Sequence, residues 1–130
     1  MCSILLVEDH FDTRYAFTGL LQSWGHEVFP WDSAAGALAF LSGHEVDVIL
    51  SDIGLPDGDG FEFMSQVRRN NSRVIAIAVS AYFSAGDKRC DHDSGFDMCF
   101  PKPVNLRELE FTLERLSAQL GKPLVPAEVL

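Results

Sequence analysis

Val46-Asp-Val-Ile-Leu-Ser-Asp-Ile-Gly-Leu-Pro-Asp-Gly-Asp-Gly60 is the most informative stretch of this chain. Residues 46–50 are mainly apolar and have the length of a buried β-strand. The strand ends at the carboxylate of Asp52, and residues 55–60 that follow are rich in turn formers. Because open α/β sheets place ligands beyond the carboxyl ends of their strands, Asp52 is a candidate functional residue. On this stretch alone, the alternative is that Asp52 merely caps the next turn.

The alternation of apolar and polar segments predicts five strand–helix units. Each predicted strand is apolar along its whole length, which is typical of a parallel sheet covered by helices on both faces. Right-handed crossovers then bring the carboxyl ends of all strands to one edge of the sheet. The predicted strands are 3–7, 26–30, 46–52, 74–79 and 98–100. Two predicted helices span residues 13–24, with Asp12 as the N-cap, and about 84–93. Three more are predicted to start near the capping residues Ser33, Asp59 and Asn105.

The bulk composition is that of one globular domain, since the chain has 130 residues with 47% hydrophobic and 22% charged residues. We expect the domain to span residues 1–120 and residues 121–130 to form a linker or tail. The net charge of −9 argues against nucleic acid as a direct partner. No apolar run reaches the roughly 20 residues of a membrane helix, and the amino terminus lacks the basic region of a secretory signal. Three cysteines without metal spacing favour free thiols in the cytoplasm.

Five polar residues lie at or just beyond the ends of the predicted strands: Glu8, Asp9, Asp52, Ser80 and Lys102. Three neighbouring carboxylates repel one another unless a cation joins them. Because these ligands are all oxygens, the cluster favours Mg²⁺. The lysine and the serine hydroxyl suit a phosphoryl group, and a carboxylate can itself accept phosphoryl as an acyl phosphate.

The remaining polar residues of interest are interpreted as structural. Asp57 and Asp59 lie among turn formers and are expected to serve as turn and cap residues. The four histidines show no ligand spacing, so we interpret His10, His26, His44 and His92 as surface residues, with His10 next to the acids at the rim of the pocket.

Four segments together resemble the receiver domain of two-component response regulators, over about residues 3–120. These are Leu6-Val-Glu-Asp9, Ser51-Asp-Ile-Gly-Leu-Pro-Asp-Gly-Asp-Gly60, Ala78-Val-Ser-Ala81 and Phe100-Pro-Lys-Pro103. The resemblance implies a flavodoxin-like, doubly wound (βα)5 three-layer sandwich with a parallel five-stranded sheet in the order 2-1-3-4-5. Residues 95–104 are most similar to receivers attached to hybrid sensor histidine kinases.

The resemblance also implies a role for each residue of the acidic cluster. Asp52 matches the phosphorylated aspartate. For Mg²⁺, Asp9 matches the direct ligand, Glu8 the acid that acts through water, and Gly54 the position whose backbone carbonyl binds the ion.

On the phosphate side, Ser80 matches the switch hydroxyl and Lys102 the phosphate-binding lysine, with a cis peptide expected before Pro103. One position departs from the family pattern: Cys99 stands where many receivers have a Tyr or Phe whose ring reports phosphorylation. The usual readout by ring rotation is therefore not expected here.

The implied function is that of a phosphoacceptor module rather than an enzyme. It would take phosphoryl from a histidine kinase or a histidine phosphotransfer domain, without direct contact to nucleic acid or membrane, as a monomer or weak dimer. One alternative is a Mg²⁺-dependent aspartyl-phosphate phosphohydrolase, but such enzymes need a second acid where this chain has Gly54. Another is a receiver fold used only for protein binding, against which the complete set of site residues argues.

Overall fold

A five-stranded parallel sheet forms the centre of the computed structural model, which describes residues 2–70, 73–80 and 95–121. Its strands are β1 (Ser3–Val7), β2 (Glu27–Trp31), β3 (Val48–Asp52), β6 (Ile75–Ser80) and β7 (Met98–Pro101). They lie in the order β2-β1-β3-β6-β7. The two-residue strands β4 (Gly54–Leu55) and β5 (Gly58–Asp59) form a separate antiparallel hairpin. Counted without that hairpin, the sheet has the predicted order 2-1-3-4-5, which confirms the fold.

Helices cover both faces of the sheet in the part of the chain that the structure describes. They are α1 (Phe11–Ser23), α2 (Ala34–Leu41), α3 (Gly60–Asn70) and α4 (Leu106–Gln119). Alternate strand residues point to opposite faces. One face packs on α1 and α4 and the other on α2 and α3, so two separate apolar clusters result. None of these described helices is long and apolar enough to cross a membrane. The predicted helix at 84–93 and nearly all of the predicted tail lie outside the described residues.

Three helix starts confirm the predicted caps. In each case a side-chain oxygen accepts backbone N–H groups of the first helical turn, which otherwise have no partner in the helix. The acceptors are Ser33 for α2, Asp59 for α3 and Asn105 for α4.

The predicted start of α1 is wrong. The helix begins at Phe11, with His10 at the N-cap position, and Asp12 lies inside the first turn. An acid is favourable at both positions, because the first turn carries partial positive charge from its free N–H groups. Composition alone therefore does not distinguish the cap from the first turn.

Two expectations about cysteine and histidine are also wrong. Cys2 is a buried free thiol, as predicted, but Cys99 is disulfide-bonded. His26 is only 4% exposed, and its Nδ1 accepts the backbone N–H of Cys2 at 3.3 Å. Burial, followed by the charge of the amino terminus, lowers the pKa of His26. The surface interpretation failed because the turn after α1 folds back onto the start of β1, where the histidine is enclosed.

Candidate functional site

The carboxyl edge of the sheet collects the predicted site residues through the register of its strands. Asp52 on β3 is paired with Val79 on β6, so Ser80 lies one residue beyond it. Ser80 is in turn paired with Pro101, which places Lys102 just past the end of β7. The Ser80 carbonyl accepts the Lys102 N–H at 3.1 Å, and Ser80 itself is fully buried. The structure thus brings these residues to one edge, as parallel pairing requires.

Lys102 is the cation at the centre of the site. Its Nζ lies 3.1 Å from Asp52 Oδ2 and 3.2 Å from Glu8 Oε2. Burial acts to lower the pKa of Lys102 and is the largest single influence. The hydrogen bond and charge of Asp52, followed by those of Glu8, together outweigh it and raise the pKa above its usual value. The ammonium therefore remains charged throughout the physiological pH range.

The acids after β1 form the other side of the pocket. Glu8 is only 4% exposed, and its Oε1 accepts the backbone N–H of His10 at 3.2 Å. The imidazole Nδ1 of His10 lies 3.1 Å from Glu8 Oε1 and 3.3 Å from Asp9 Oδ1. Among the described residues, Asp9 Oδ1 has no hydrogen-bond partner although the atom is buried, because its approach to His10 lacks hydrogen-bond geometry.

These acids have the arrangement of a cation site. Glu8, Asp9, His10 and Asp52 each offer a ligand atom, and all four atoms lie within 4.8 Å of one another. A buried carboxylate oxygen without a partner is costly, and a bound cation removes that cost. The donor set of hard oxygens, with one nearby imidazole, fits a divalent metal ion.

The segment after β3 is shaped by Asp52 and Gly60. Asp52 Oδ1 accepts the N–H of Gly54 at 3.2 Å, so Asp52 does cap the following turn, while its other oxygen binds Lys102. The Gly60 N–H donates to the Ile53 carbonyl at 2.7 Å. A Cβ at Gly60 would lie 2.8 Å from the Asp52 carbonyl oxygen, so a larger residue would push α3 away from the strand end.

Asp57 ties this segment to α2. Its two carboxylate oxygens accept the N–H groups of Ala34 at 3.0 Å and Ala35 at 2.8 Å. The hydrogen bonds from Ala35 and Ala34 lower the pKa of Asp57. The predicted cap role is confirmed, although no pattern in the sequence indicates that the helix being capped is α2.

Sequence reasoning missed two residues of this pocket. Contacts of His10 with both acids were not predicted, since the residue was placed only at the rim. Arg14 was not predicted at all, and its Nη1 donates to the carbonyls of Glu8 at 2.9 Å and Asp9 at 3.3 Å. A signal existed, because α1 follows the acids directly and helical side chains lean towards the amino terminus.

Two further features concern β7 and the residues directly after it, where a cis peptide and an unusual cysteine were expected. The peptide between Lys102 and Pro103 is cis, as the resemblance implies. Cys99 is paired with Ala78 and packs against the core under α2 and α3.

Comparison with known proteins settles the family. The model of the response regulator receiver domain matches residues 4–114. The chain belongs to this family. Sensor histidine kinase RcsC of Salmonella typhi is 33% identical over 119 residues, which are 92% of this chain and 13% of that protein. The transcriptional regulatory protein KdpE of Escherichia coli is 34% identical, over 87% of this chain and 50% of that protein. The receiver chain thus spans half or less of these two relatives.

Solved structures agree with this assignment. The chemotaxis response regulator CheY4 of Vibrio cholerae has a TM-score of 0.80 at 30% identity, covering 89% of this chain and 98% of that one. The response regulator TrrA of Thermotoga maritima, solved in complex with Mg²⁺-BeF, has a TM-score of 0.77 at 29% identity, covering 89% and 99%. The chain is therefore a receiver domain of two-component signalling, and nothing in the comparisons supports the phosphohydrolase alternative.

Proposed function

We propose that this receiver domain accepts a phosphoryl group from a phosphohistidine onto Asp52, with Mg²⁺ bound in the acidic pocket. The observation that carries the proposal is the position of Asp52 at the end of β3. Its carboxylate is 11% exposed, held by Lys102 on one oxygen and by the Gly54 N–H on the other. Such a carboxylate is oriented and still reachable from solvent, as a nucleophile must be.

In the proposed reaction, an oxygen of Asp52 attacks the phosphorus of the phosphohistidine. The P–O bond to Asp52 forms as the P–N bond breaks, and the electron pair of that bond stays on the departing imidazole. Lys102, already 3.1 Å from Asp52 Oδ2, lies where it can neutralise charge on the transferred phosphoryl oxygens. Ser80 at the end of β6 is the hydroxyl we assign to binding the phosphorylated state.

The pocket residues support distinct roles toward the metal. The buried, unpartnered Asp9 Oδ1 supports direct coordination by Asp9 together with Asp52 and the carbonyl of Gly54. Glu8 already binds Lys102 and His10, which supports action through a water molecule. When bound, Mg²⁺ supplies positive charge that polarises phosphoryl oxygens. That the related TrrA was solved with Mg²⁺-BeF supports this choice of ion.

We infer that the phosphoryl donor is a histidine kinase or a histidine phosphotransfer domain, because a sensor histidine kinase is among the relatives. The domain, residues 1–120, then relays the signal by conformational change and loses phosphoryl by hydrolysis, without turning over a separate substrate. We also propose a cytoplasmic domain without direct nucleic acid contact, since the net charge of −9 repels phosphate backbones. We further propose a monomer or weak dimer, with 121–130 as linker or tail.

Intact-mass spectrometry after incubation with acetyl phosphate and MgCl₂ tests the phosphoacceptor. Wild type is expected to gain one acid-labile phosphoryl group, and Asp52→Asn is expected to gain none. Asp59→Asn is the matched control, because this acid lies in the same loop but caps α3, and it should be labelled like wild type. Unchanged labelling of Asp52→Asn would remove Asp52 from its role.

A further inference from the structure

His10 is the one nitrogen ligand in the otherwise oxygen-lined pocket, among the residues that the structure describes. Its imidazole is 72% exposed, yet Nδ1 points inward to the two acids after β1. The residue occupies the N-cap position of α1 without using its side chain as a cap. The ring is therefore held by the contacts of Nδ1 with Glu8 and Asp9 and not by helix capping, and these contacts place Nδ1 in the acidic pocket.

The separation between His10 Nδ1 and Asp9 Oδ1 is close to that of neighbouring ligands on one metal ion. A cation with ligands at about 2.1 Å places adjacent ligands of an octahedron about 3.0 Å apart. Nδ1 lies 3.3 Å from Oδ1 of Asp9, the direct ligand proposed above, and within hydrogen-bond distance of Glu8 Oε1. The neutral imidazole can carry its proton on Nε2, which leaves the Nδ1 lone pair directed at the pocket.

We propose that His10 coordinates the divalent cation of this site through Nδ1 and thereby determines which metal the receiver prefers. The inference rests on the proposed metal-dependent function and adds a ligand to it. Mg²⁺ gains little from imidazole, whereas Mn²⁺ and later first-row ions accept nitrogen readily. His10 therefore increases the affinity for Mn²⁺ more than that for Mg²⁺, so the phosphoacceptor site accepts either ion but discriminates in favour of Mn²⁺.

Pulsed EPR of bound Mn²⁺ tests ligation directly, because a coordinated imidazole nitrogen modulates the electron-spin echo. Wild type is expected to show nitrogen coupling and His10→Ala to lack it. The matched control is His44→Ala, since His44 is also exposed and its Nδ1 contacts the Phe40 carbonyl at 3.0 Å. His44 precedes β3 at the opposite edge of the sheet, so this variant should keep the coupling.

Calorimetric titrations with MnCl₂ and MgCl₂ test the selectivity. His10→Ala should bind Mn²⁺ about tenfold more weakly and change Mg²⁺ affinity by less than about twofold. Wild-type protein that binds Mn²⁺ without nitrogen coupling, or equal losses for both ions, would overturn the role of His10 and leave the phosphoacceptor proposal standing. Wild-type protein that binds neither ion would instead refute the metal site itself.

Discussion

Lys102 is a single counterion shared by two carboxylates. Removing its ammonium leaves Glu8, which is only 4% exposed, and Asp52 without the cation that they share. Like charges at this separation in a partly buried pocket destabilise the fold. The pKa of Lys102 is raised in the folded protein. Lys102 therefore stabilises the fold fully at pH values below its ordinary pKa of 10.5, and this stabilisation is lost as pH rises through the raised pKa.

Lys102→Ala is expected to remain folded but to lose the response to a phosphoryl mimic. Breaking a partly buried pair should lower the free energy of unfolding by about 1–3 kcal/mol, and Mg²⁺ should restore part of it by replacing the missing charge. Without the ammonium, beryllofluoride at Asp52 lacks its main cationic partner from the protein. Backbone amide NMR shifts with Mg²⁺, recorded with and without beryllofluoride, measure the response.

The control for this variant is Arg107→Ala, which removes an exposed cation from the start of α4, five residues after Lys102. It should respond to beryllofluoride as wild type does. Equal shift patterns in Lys102→Ala and wild type would show that the lysine does not contact the phosphoryl position.

The sequence predicted the place of Lys102 in the site but not the contacts of His10, and the difference has a physical reason. Glu8, Asp52 and Lys102 each lie at or just beyond the end of a strand, and parallel pairing brings such residues together whatever the details of packing. His10 and Arg14 depend on where α1 begins and on how its first turn is aimed. A difference of two residues in the predicted helix start was sufficient to hide both contacts.

The start of α2 is capped twice, once from within its own segment and once from the loop after β3. Ser33 accepts the N–H of Gly36 at 3.1 Å, and Asp57 accepts those of Ala34 and Ala35. Local spacing predicted Ser33, because a serine before a helical pattern is a local signal. The contact of Asp57 joins positions 22 and 23 residues apart, and no local pattern reports it.

Asp57→Ala is expected to lower the melting temperature by a few degrees in a pH-dependent way. The pKa of Asp57 is lowered in the folded protein. Asp57 therefore stabilises the fold fully at pH values above its ordinary pKa of 3.8, and this stabilisation is lost as pH falls through the lowered pKa. The difference in melting temperature between wild type and variant should be full at pH 7 and vanish in strong acid. Circular dichroism melts from neutral pH into strong acid measure it.

Asp32→Ala separates capping from general charge effects near the same helix terminus. Asp32 is exposed and precedes Ser33. Its carboxylate interacts with the helix dipole only over a distance, so its loss should matter less than that of Asp57. Equal effects of the two variants would indicate that charge, and not the hydrogen bonds of Asp57, stabilises α2.

The two edges of the sheet have opposite physical characters. The carboxyl edge gathers like charges for function, and the amino-terminal edge is held by hydrogen bonds. There Arg68 of α3 donates to the carbonyl of Gly95 at 3.0 and 2.8 Å and to the carbonyl of Val74. It also contacts Asp97, which accepts the N–H of Ala76 at 2.8 Å. One side chain thus joins α3 to the starts of β6 and β7.

Packing at Gly95 reinforces this joint. Its φ is +87°, and a Cβ there would lie 3.2 Å from that of Met64 on α3. The sequence pattern does not indicate the contact of Gly95 with Arg68. Strand and helix periodicity predicted a parallel sheet with helices on both faces, and the resemblance to receiver domains implied the order of its strands. The contacts of Arg68 with backbone carbonyls cannot be predicted from the sequence, because any residue type can supply a backbone carbonyl.

Arg68→Ala is expected to weaken the whole domain while leaving the phosphoacceptor chemistry intact. Loss of hydrogen bonds from a charged group to carbonyls should lower the free energy of unfolding by about 2–4 kcal/mol. The ion pair with Asp97 adds little, because Asp97 is 50% exposed. Urea unfolding measures the loss. Arg69→Ala, an exposed neighbour, should change stability by less than about 0.5 kcal/mol.

Phosphorylation of Asp52 provides a second test of Arg68, because Arg68 lies at the opposite edge of the sheet from Asp52. Because Arg68 binds at the amino-terminal edge, folded Arg68→Ala protein should still be labelled at Asp52 by acetyl phosphate to the wild-type extent. Arg68→Lys should lose most of the stability that the alanine variant loses, since an ammonium lacks the planar fork that reaches several carbonyls. If Arg68→Ala unfolded at the same urea concentration as wild type, Arg68 would not stabilise the amino-terminal edge. If folded Arg68→Ala were no longer labelled at Asp52, the two edges of the sheet would not act independently.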